Sequence, residues 1–370
     1  MRTLLILALG AAVFATPVGA FSESGLSRTS DPVSEALDRA RQDIGAPGMS
    51  IAVWSGGSIV AEAASGVRAA GSPGAVLTSD AFHVGSVTKS ITAVLAARLV
   101  EEGRMRWDET VAERLGDAIP DISPDQRSVT LEMLLAHESG APERLSPDQL
   151  RAVVQASDLQ AARIAAARAV LASPPAGPRG VMVYSNPGYV IAGAMIERGA
   201  GKTWEDGVAE DVLGPLALTS ARFGVPQGDD AVRGHRREGD AWVAIDPSGP
   251  GADNPSFLRP AGGLRMSMRD LALFGADQLR GMRGDAGVLL TPASYTRLHT
   301  ERSDHQGLGW AQGPDGSFDN SGSNGRWFAY IKVMPGDDLV VAVAANAYTP
   351  ETEDRIVSLI DEIRAIRSRH

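Results

Sequence analysis

The amino-acid sequence predicts an α+β fold: an antiparallel sheet built from both ends of the chain, flanked by helices, with a mainly helical region inserted between its two parts. Two observations lead to this prediction. Strand-like apolar runs occur near the two ends of the chain, at residues 49–63 and 326–346. The sequence between them is rich in alanine and repeats apolar residues at the spacing of one helix face.

The first elements are predicted from local spacing and turn residues. Residues 33–44 space their apolar side chains like one face of a helix, which ends at a Gly-Ala-Pro-Gly sequence. Residues 49–54 and 58–63 are predicted to form a β-hairpin, because Gly56 and Gly57 supply the turn between them. This hairpin is the N-terminal part of the predicted sheet.

The later elements follow the same rules. Helices are expected in three alanine-rich stretches of the middle region and at the C-terminus, at residues 90–102, 149–171, 189–198 and 351–369. Strands are expected at 326–334 and 338–346, with their turn at Pro335-Gly336. Clefts form where such regions meet, so we expect catalytic residues at the junctions between the sheet and the helical region.

The N-terminus is typical of a secretory signal sequence. Arg2 supplies a positive start, residues 4–15 are apolar, and small residues at 18–20 suit cleavage before Phe21. An uncleaved membrane anchor is the alternative, but the apolar run is too short to span a bilayer comfortably. We therefore expect residues 1–20 to be removed and the protein to be exported, either to the periplasm or out of the cell, with no stable membrane insertion afterwards.

One catalytic domain is expected after this signal. Residues 21–32 are predicted to be a flexible N-terminus, and 33–370 a single domain. Within it, the sheet region covers about 33–75 and 290–370, and the helical region covers about 80–270.

Composition excludes several classes of function. The 370 residues contain 35 Lys and Arg against 45 Asp and Glu, a net charge of −10. An acidic chain argues against general binding to nucleic acids or to anionic membranes, which need a basic surface. There is no cysteine, so thiol catalysis, disulfides and Cys-ligated metals are excluded. The six histidines are scattered and match no metal-binding signature, so no cofactor is predicted.

The strongest local signal is Gly85-Ser86-Val87-Thr88-Lys89, which stands at the start of a predicted helix. A helix start favours a developing anion, and Lys89 falls one turn after Ser86, within reach of its hydroxyl. A lysine that burial keeps neutral can serve as the base for a serine nucleophile. The structural alternative is that Ser86 caps the helix and Lys89 lies on the surface. Ser-x-x-Lys alone is a weak signal.

A second signal is Tyr184-Ser185-Asn186-Pro187-Gly188, between an apolar stretch and a helix. A tyrosine there can pass a proton to a leaving group, and Asn186 can bond a substrate amide or the lysine. The structural alternative is a turn set by Asn-Pro-Gly, with Tyr184 packed against the core. By itself the motif favours this alternative.

A third signal is the Gly/Ser-rich sequence at 320–325, just before the strand predicted at 326–334. Such an edge lets a substrate backbone lie close and offers unpaired N–H groups. Its structural alternative is a tight hairpin connection.

Together, and in this order, the three motifs resemble those of the serine β-lactamase and penicillin-binding-protein superfamily. The resemblance is greatest to the branch of class C β-lactamases, D-Ala-D-Ala carboxypeptidases and related esterases. Residues 130–140 resemble its helix ending in His-x-Ser-Gly, and residues 260–271 resemble its Ala-Gly-Gly-Leu segment. The similarity runs from about residue 33 to the C-terminus, and it implies a β-lactamase-like α+β fold.

The resemblance implies acyl transfer through a covalent serine ester. Ser86 would attack a carbonyl group, while Lys89 and Tyr184 together take its proton and pass it to the leaving group. Asn186 would orient the lysine and a substrate amide. The N–H groups of Ser86 and Ser323 would form the oxyanion hole.

The third motif departs from the family's pattern. The family usually has Lys or His before Ser/Thr-Gly, whereas this chain has Asn320 before Ser321, Gly322 and Ser323. A cation at that position helps to bind a substrate carboxylate, and a neutral Asn320 loses this charge-assisted bond. Arg326 is a candidate replacement. Asn320, Ser321, Gly322 and Ser323 are expected to bind substrate. The neutral residue in place of Lys or His favours esters or uncharged amides as substrates.

His137 stands near Ser139 and is a candidate for a catalytic triad, but the resemblance implies a structural residue at a helix end. We therefore predict a serine hydrolase that acts on a small-molecule or peptide ester or amide, of esterase, D-amino-acid peptidase or β-lactamase type. The alternative is a catalytically weak, penicillin-receptor-like or scaffold protein of the same fold.

Overall fold

A computed structural model describes residues 31–369 apart from positions 155, 157, 227, 229, 230, 250 and 286. The predicted signal sequence, residues 1–20, and nearly all of the predicted flexible segment, 21–32, lie outside the described residues. In the described part of the chain, no helix is both long and apolar enough to cross a membrane.

The chain forms eleven strands within the described residues, and the fold class predicted from the sequence is confirmed. The strands are β1 (Gly48–Ser55), β2 (Ser58–Gly66), β3 (Phe82–His83), β4 (Arg222–Phe223), β5 (His235–Glu238), β6 (Ala241–Ala244), β7 (Leu264–Met266), β8 (Ala311–Gln312), β9 (Phe318–Ser323), β10 (Phe328–Met334) and β11 (Leu339–Ala345). Six of them make one antiparallel sheet in the order β2-β1-β11-β10-β9-β8, which joins the two ends of the chain.

The described residues also form twelve α-helices. They are α1 (Pro32–Ile44), α2 (Thr88–Glu101), α3 (Val111–Leu115), α4 (Leu131–Leu135), α5 (Pro147–Val153), α6 (Leu159–Leu171), α7 (Asn186–Ala200), α8 (Trp204–Val208), α9 (Arg259–Gly262), α10 (Met268–Met282), α11 (Pro292–His299) and α12 (Thr352–Arg367). The region from α2 to α9 is mainly helical, as the sequence predicts.

The large sheet is covered on both faces, which explains why its central strands are apolar throughout. Alternate side chains of β1 point to opposite faces: Ile51 and Val53 pack with α1 and α12, whereas Ala52 and Trp54 pack towards α10 and the helical region. Every residue of β11 is buried. A strand buried on both faces has no need for polar residues.

The predicted helix at 149–171 is wrong as a single element. The structure divides it into α5 and α6, because Ser146 and Asp158 each cap the start of a separate helix. The Asp158 side chain accepts a hydrogen bond from the Ala161 N–H, 2.8 Å away. Since Asp satisfies such a free N–H group, it starts a new helix where alanine-rich composition alone predicts continuation.

The Gly/Ser-rich sequence at 320–325 lies mostly inside a strand. Its first four residues end β9, and the hairpin turn towards β10 follows them. The short strand β8 pairs with β9 only at Phe318 and Asp319. Along the rest of β9, no other strand of the described residues pairs with the edge turned away from β10.

Candidate active site

Ser86 lies at the predicted helix start, one turn outside the α-helix itself. Residues Gly85–Val87 form a single 3₁₀ turn, and α2 begins at Thr88. Gly85 has a φ of +53°, which favours glycine, and a Cβ there would lie 2.6 Å from the Ser323 nitrogen. The turn that carries Ser86 is therefore pressed against the backbone of β9.

The buried side chain of Lys89 contacts Ser86. Its Nζ lies 3.0 Å from Ser86 Oγ, 2.8 Å from Asn186 Oδ1 and 2.6 Å from the Ala261 carbonyl oxygen. Burial lowers the pKa of Lys89 well below its ordinary value of 10.5, because the ammonium loses its hydration. A neutral amine has two N–H groups for Asn186 and Ala261, which leaves its lone pair for the Ser86 hydroxyl.

Tyr184 contacts the same hydroxyl, with its OH 2.5 Å from Ser86 Oγ. The Nζ of Lys89 is 4.7 Å from the centre of the Tyr184 ring. Burial raises the pKa of Tyr184 and the Glu143 carboxylate raises it further, while the hydrogen bond with Ser86 opposes them. The phenol therefore keeps its proton and can donate it. The structure brings Ser86, Lys89 and Tyr184 into one hydrogen-bonded group.

His137 supports the Tyr184 segment from behind. Its Nδ1 accepts a hydrogen bond from the Ser185 N–H at 3.0 Å, and its ring centre is 4.6 Å from that of Tyr184. Burial is the largest cause that lowers the pKa of His137 to about 3. The Oγ of Ser139 accepts instead from the Ala141 N–H. The geometry thus gives His137 a positioning role and no partnership with Ser139.

Asn320 is directed towards α2 and is held there by its amide. Its Nδ2 donates to Ser90 Oγ and to the Gly309 carbonyl oxygen, both at 2.9 Å, and more weakly to the Ser86 carbonyl oxygen at 3.3 Å. These bonds use the donor capacity of the amide inside the protein. Asn320 therefore fixes β9 against the helix that carries Lys89.

The remaining residues of the third motif lie along the same edge. A Cβ on Gly322 would be 2.2 Å from the Val84 carbonyl oxygen and 2.3 Å from the Ser86 nitrogen, so only glycine fits there. Ser321 borders a cavity on the Lys89 side, and Ser323 borders a second cavity on the Ser86 side. The strand thus separates two small spaces that both reach the candidate catalytic group.

The two cavities differ in size and in charge. The smaller, about 100 Å³, has a neutral lining formed by Ser86, Asn186, Asn254, Leu258, Ala261, Gly262 and Ser323. The larger, about 250 Å³, is bordered by Tyr184 and by two carboxylates, Asp319 and Glu353. Lys89 is the one Lys or Arg side chain among the described residues that line them. In the described ranges, no group of three or more His, Asp or Glu side chains is arranged to hold a metal ion.

Sequence reasoning missed the roles of Asn254 and Ala261. Asn254 lines the smaller cavity, and Ala261 holds Lys89 through its carbonyl oxygen. No short motif marks Asn254. Ala261 lies in the Ala-Gly-Gly-Leu segment found in the sequence, but the sequence does not show that it contacts Lys89. Arg326 does not replace the missing cation of the third motif: its guanidinium lies against Gly251 and lines neither cavity.

A serine hydroxyl bonded to a buried amine and a phenol, on this α+β scaffold, is the arrangement of a serine hydrolase. The comparison with known families agrees with this class. The family model described as Beta-lactamase matches residues 15–363, and the chain belongs to this family, whose members are serine hydrolases. The resemblance noted in the sequence is thereby confirmed.

Individual relatives carry different names. The chain is 29% identical to "Penicillin-binding protein 4" of Amycolatopsis lactamdurans, over 90% of each chain. It is 26% identical to "Lovastatin esterase" of Penicillium rubens, over 59% of each chain. A class C β-lactamase from Rhodobacter sphaeroides superposes with a TM-score of 0.72 at 20% identity, covering 90% of this chain and 99% of that one. This last likeness shows the fold alone.

Proposed function

We propose that the protein is a serine hydrolase that cleaves an uncharged ester or amide through a covalent acyl-enzyme. The observation that carries this proposal is the position of Ser86 Oγ, 3.0 Å from a buried Lys89 Nζ and 2.5 Å from Tyr184 OH. A serine hydroxyl is a weak nucleophile unless an adjacent base takes its proton. The candidate base, Lys89, and the candidate proton donor, Tyr184, are both within hydrogen-bond reach of Ser86.

In the first step, Ser86 Oγ bonds to the substrate carbonyl carbon, and its proton passes to the Lys89 amine. Tyr184 donates its own proton to the leaving group and regains one from Lys89, so the pair ends as it began. Water then attacks the acyl-enzyme by the reverse route and releases the acid. Because burial favours neutral Lys89 and neutral Tyr184, the resting site is ready for this transfer.

The carbonyl oxygen that becomes negative needs two donors. The N–H groups of Ser86 and Ser323 are the proposed pair, since the Ser86 turn and the end of β9 are in contact. Each such donor is worth on the order of 3 kcal/mol in transition-state stabilisation.

Charge favours neutral substrates. A bound carboxylate needs a cation or several hydrogen-bond donors. The Asn320 amide already donates to Ser90 and to Gly309 within the protein. The larger cavity instead presents Asp319 and Glu353, which repel an anion. The relative named as an esterase supports an ester substrate. These observations weigh against β-lactams and D-Ala termini, both of which carry a carboxylate.

A second candidate is a weakly catalytic, penicillin-receptor-like or scaffold protein. Neutral Asn320 favours it, as does the relative named as a penicillin-binding protein. The complete group of Ser86, Lys89 and Tyr184 opposes it, because a site that has lost turnover usually lacks one of these groups.

Hydrolysis of p-nitrophenyl butyrate by the full-length chain, Ser86→Ala and Tyr184→Phe tests the proposal. We expect Ser86→Ala to lose turnover and Tyr184→Phe to lose about 10²- to 10⁴-fold in kcat with its thermal unfolding unchanged. Normal turnover by Ser86→Ala would show that Ser86 is not the nucleophile. No turnover by the wild type, together with a stable β-lactam adduct in its intact mass, would favour the receptor-like protein.

A further inference from the structure

The small cavity beside Ser86 contains one polar side chain that none of the three sequence motifs supplies. This cavity of about 100 Å³ is lined by uncharged groups, and Asn254 joins Asn186 and Ser323 in its wall. In a ligand pocket, a few polar groups on the wall fix the orientation of the ligand, so a polar atom without a protein partner is a candidate for this role.

Two hydrogen bonds fix the orientation of Asn254. Its backbone N–H donates to Asp253 Oδ1 at 2.7 Å, and its side-chain Nδ2 donates to the Gly262 carbonyl oxygen at 2.7 Å. A carbonyl oxygen only accepts, so the amide cannot be reversed without losing this bond. None of the described residues donates to Asn254 Oδ1. That oxygen is therefore the atom left for a ligand.

The loop that carries Asn254 is tied to the turn that carries Ser86. The buried His83 accepts a hydrogen bond from the Gly85 N–H on its Nδ1, at 3.0 Å. The proton of the neutral ring is then on Nε2, which donates to Asp253 Oδ1 at 3.0 Å. This chain of bonds fixes the distance between Asn254 and the candidate nucleophile.

Asn186 presents the opposite polarity to the same cavity. Its Oδ1 accepts from Lys89 Nζ, so its Nδ2 is the group available to substrate, and that group donates. One wall thus offers a donor and another offers an acceptor. A secondary amide, with its C=O and N–H on opposite sides, matches this pair, whereas a simple ester or a tertiary amide has nothing to donate.

We propose that Asn254 is a specificity-determining residue whose Oδ1 accepts a hydrogen bond from an N–H in the acyl part of the substrate. The proposal rests on the serine hydrolase function and narrows its substrates to acyl groups that carry a secondary amide next to the reactive carbonyl. Asp253 and His83 act as positioning residues for this acceptor.

The test compares two p-nitrophenyl esters that differ in one group. The ester of N-acetylglycine carries the N–H, and the ester of N-acetylsarcosine carries N-methyl in its place. The measured quantity is the ratio of their kcat/KM values, in which any effect common to both substrates cancels. Ser86→Ala supplies the background rate for each ester.

We expect the wild type to prefer the N–H ester, and Asn254→Ala to lower the ratio by about 2- to 10-fold, the usual effect of one hydrogen bond. Asn324→Ala is the matched control, since Asn324 lines neither cavity, and it should keep the wild-type ratio. A wild type that does not discriminate, or an Asn254→Ala ratio equal to that of the wild type, overturns the role of Asn254 and leaves the hydrolase intact. Wild-type rates no higher than those of Ser86→Ala overturn the hydrolase itself.

Discussion

Replacing Lys89 with methionine tests whether the candidate base is neutral in the folded protein. Methionine keeps much of the side-chain length and removes the amine. Lys89 is 2% exposed, and burial lowers its pKa well below 10.5 in the folded chain. In the unfolded chain the amine is hydrated and keeps its ordinary pKa. The two states therefore bind different numbers of protons over a range of pH.

The sign and size of the effect follow from proton linkage. Between the lowered pKa of folded Lys89 and about 10.5, the unfolded chain binds one more proton than the folded chain. The free energy of unfolding then rises by about 1.4 kcal/mol for each pH unit, and it falls equally as the pH is lowered. Lys89→Met lacks this contribution. Relative to the wild type, the variant should therefore gain about 1.4 kcal/mol of stability for each unit of decreasing pH within that range.

Urea unfolding of both proteins at about pH 7.5, 8.5 and 9.5 measures this difference. Lys202→Met is the matched control, because hydrogen bonds with Asp211 and Glu210 outweigh desolvation and raise the pKa of Lys202. Lys202 is protonated in both states over this range, so its variant should run parallel to the wild type. A Lys89→Met difference that is also constant would show that folded Lys89 carries its proton, and the base assigned to Ser86 would be wrong.

Two further substitutions test the close packing beside Ser86 and the buried ion pairs of Arg163. Gly322→Ala places a Cβ 2.3 Å from the Ser86 nitrogen, so we expect ester turnover to fall at least tenfold in a folded protein, as kinetics and circular dichroism would show. Arg163→Met leaves the carboxylates of Glu197 and Glu205 without their fully buried partner. We expect about 3–5 kcal/mol less stability in urea unfolding, and a loss below 1 kcal/mol would contradict it.

Much of the sheet could be predicted because its signals are local. The glycine pair at 56–57 and the apolar runs beside it define β1 and β2, and Pro335-Gly336 defines the turn between β10 and β11. The break between α5 and α6 was missed, because alanine favours helix on both sides of it. The N-cap at Asp158 sets the start of α6. A single aspartate within an alanine-rich sequence is not enough to predict that role.

The residues of the candidate site also divide into those that local sequence signals predict and those that they do not. Ser86 and Lys89 are one helical turn apart, so spacing alone places them together. Tyr184 and Asn186 joined them in the sequence analysis only through the family resemblance. Asn254 and His83 were missed, because their roles depend on how loop 246–254 packs against the Ser86 turn. Their link is a hydrogen bond from His83 to Asp253, between residues 170 positions apart.

Neutrality connects the chemistry of this site with its substrate. Burial shifts the pKa values of the two ionisable groups that contact Ser86 Oγ in opposite directions. The pKa of Lys89 falls and the pKa of Tyr184 rises. Both shifts favour the neutral forms, in which one proton can move among three groups without an ion being buried at rest. A substrate carboxylate would break this balance, since it would enter a low-dielectric space without a counter-charge and would favour protonated Lys89. The protonated amine is no longer a base. Asn320, in place of the family's usual cation, is thus consistent with a site whose substrate must be uncharged for Lys89 to act.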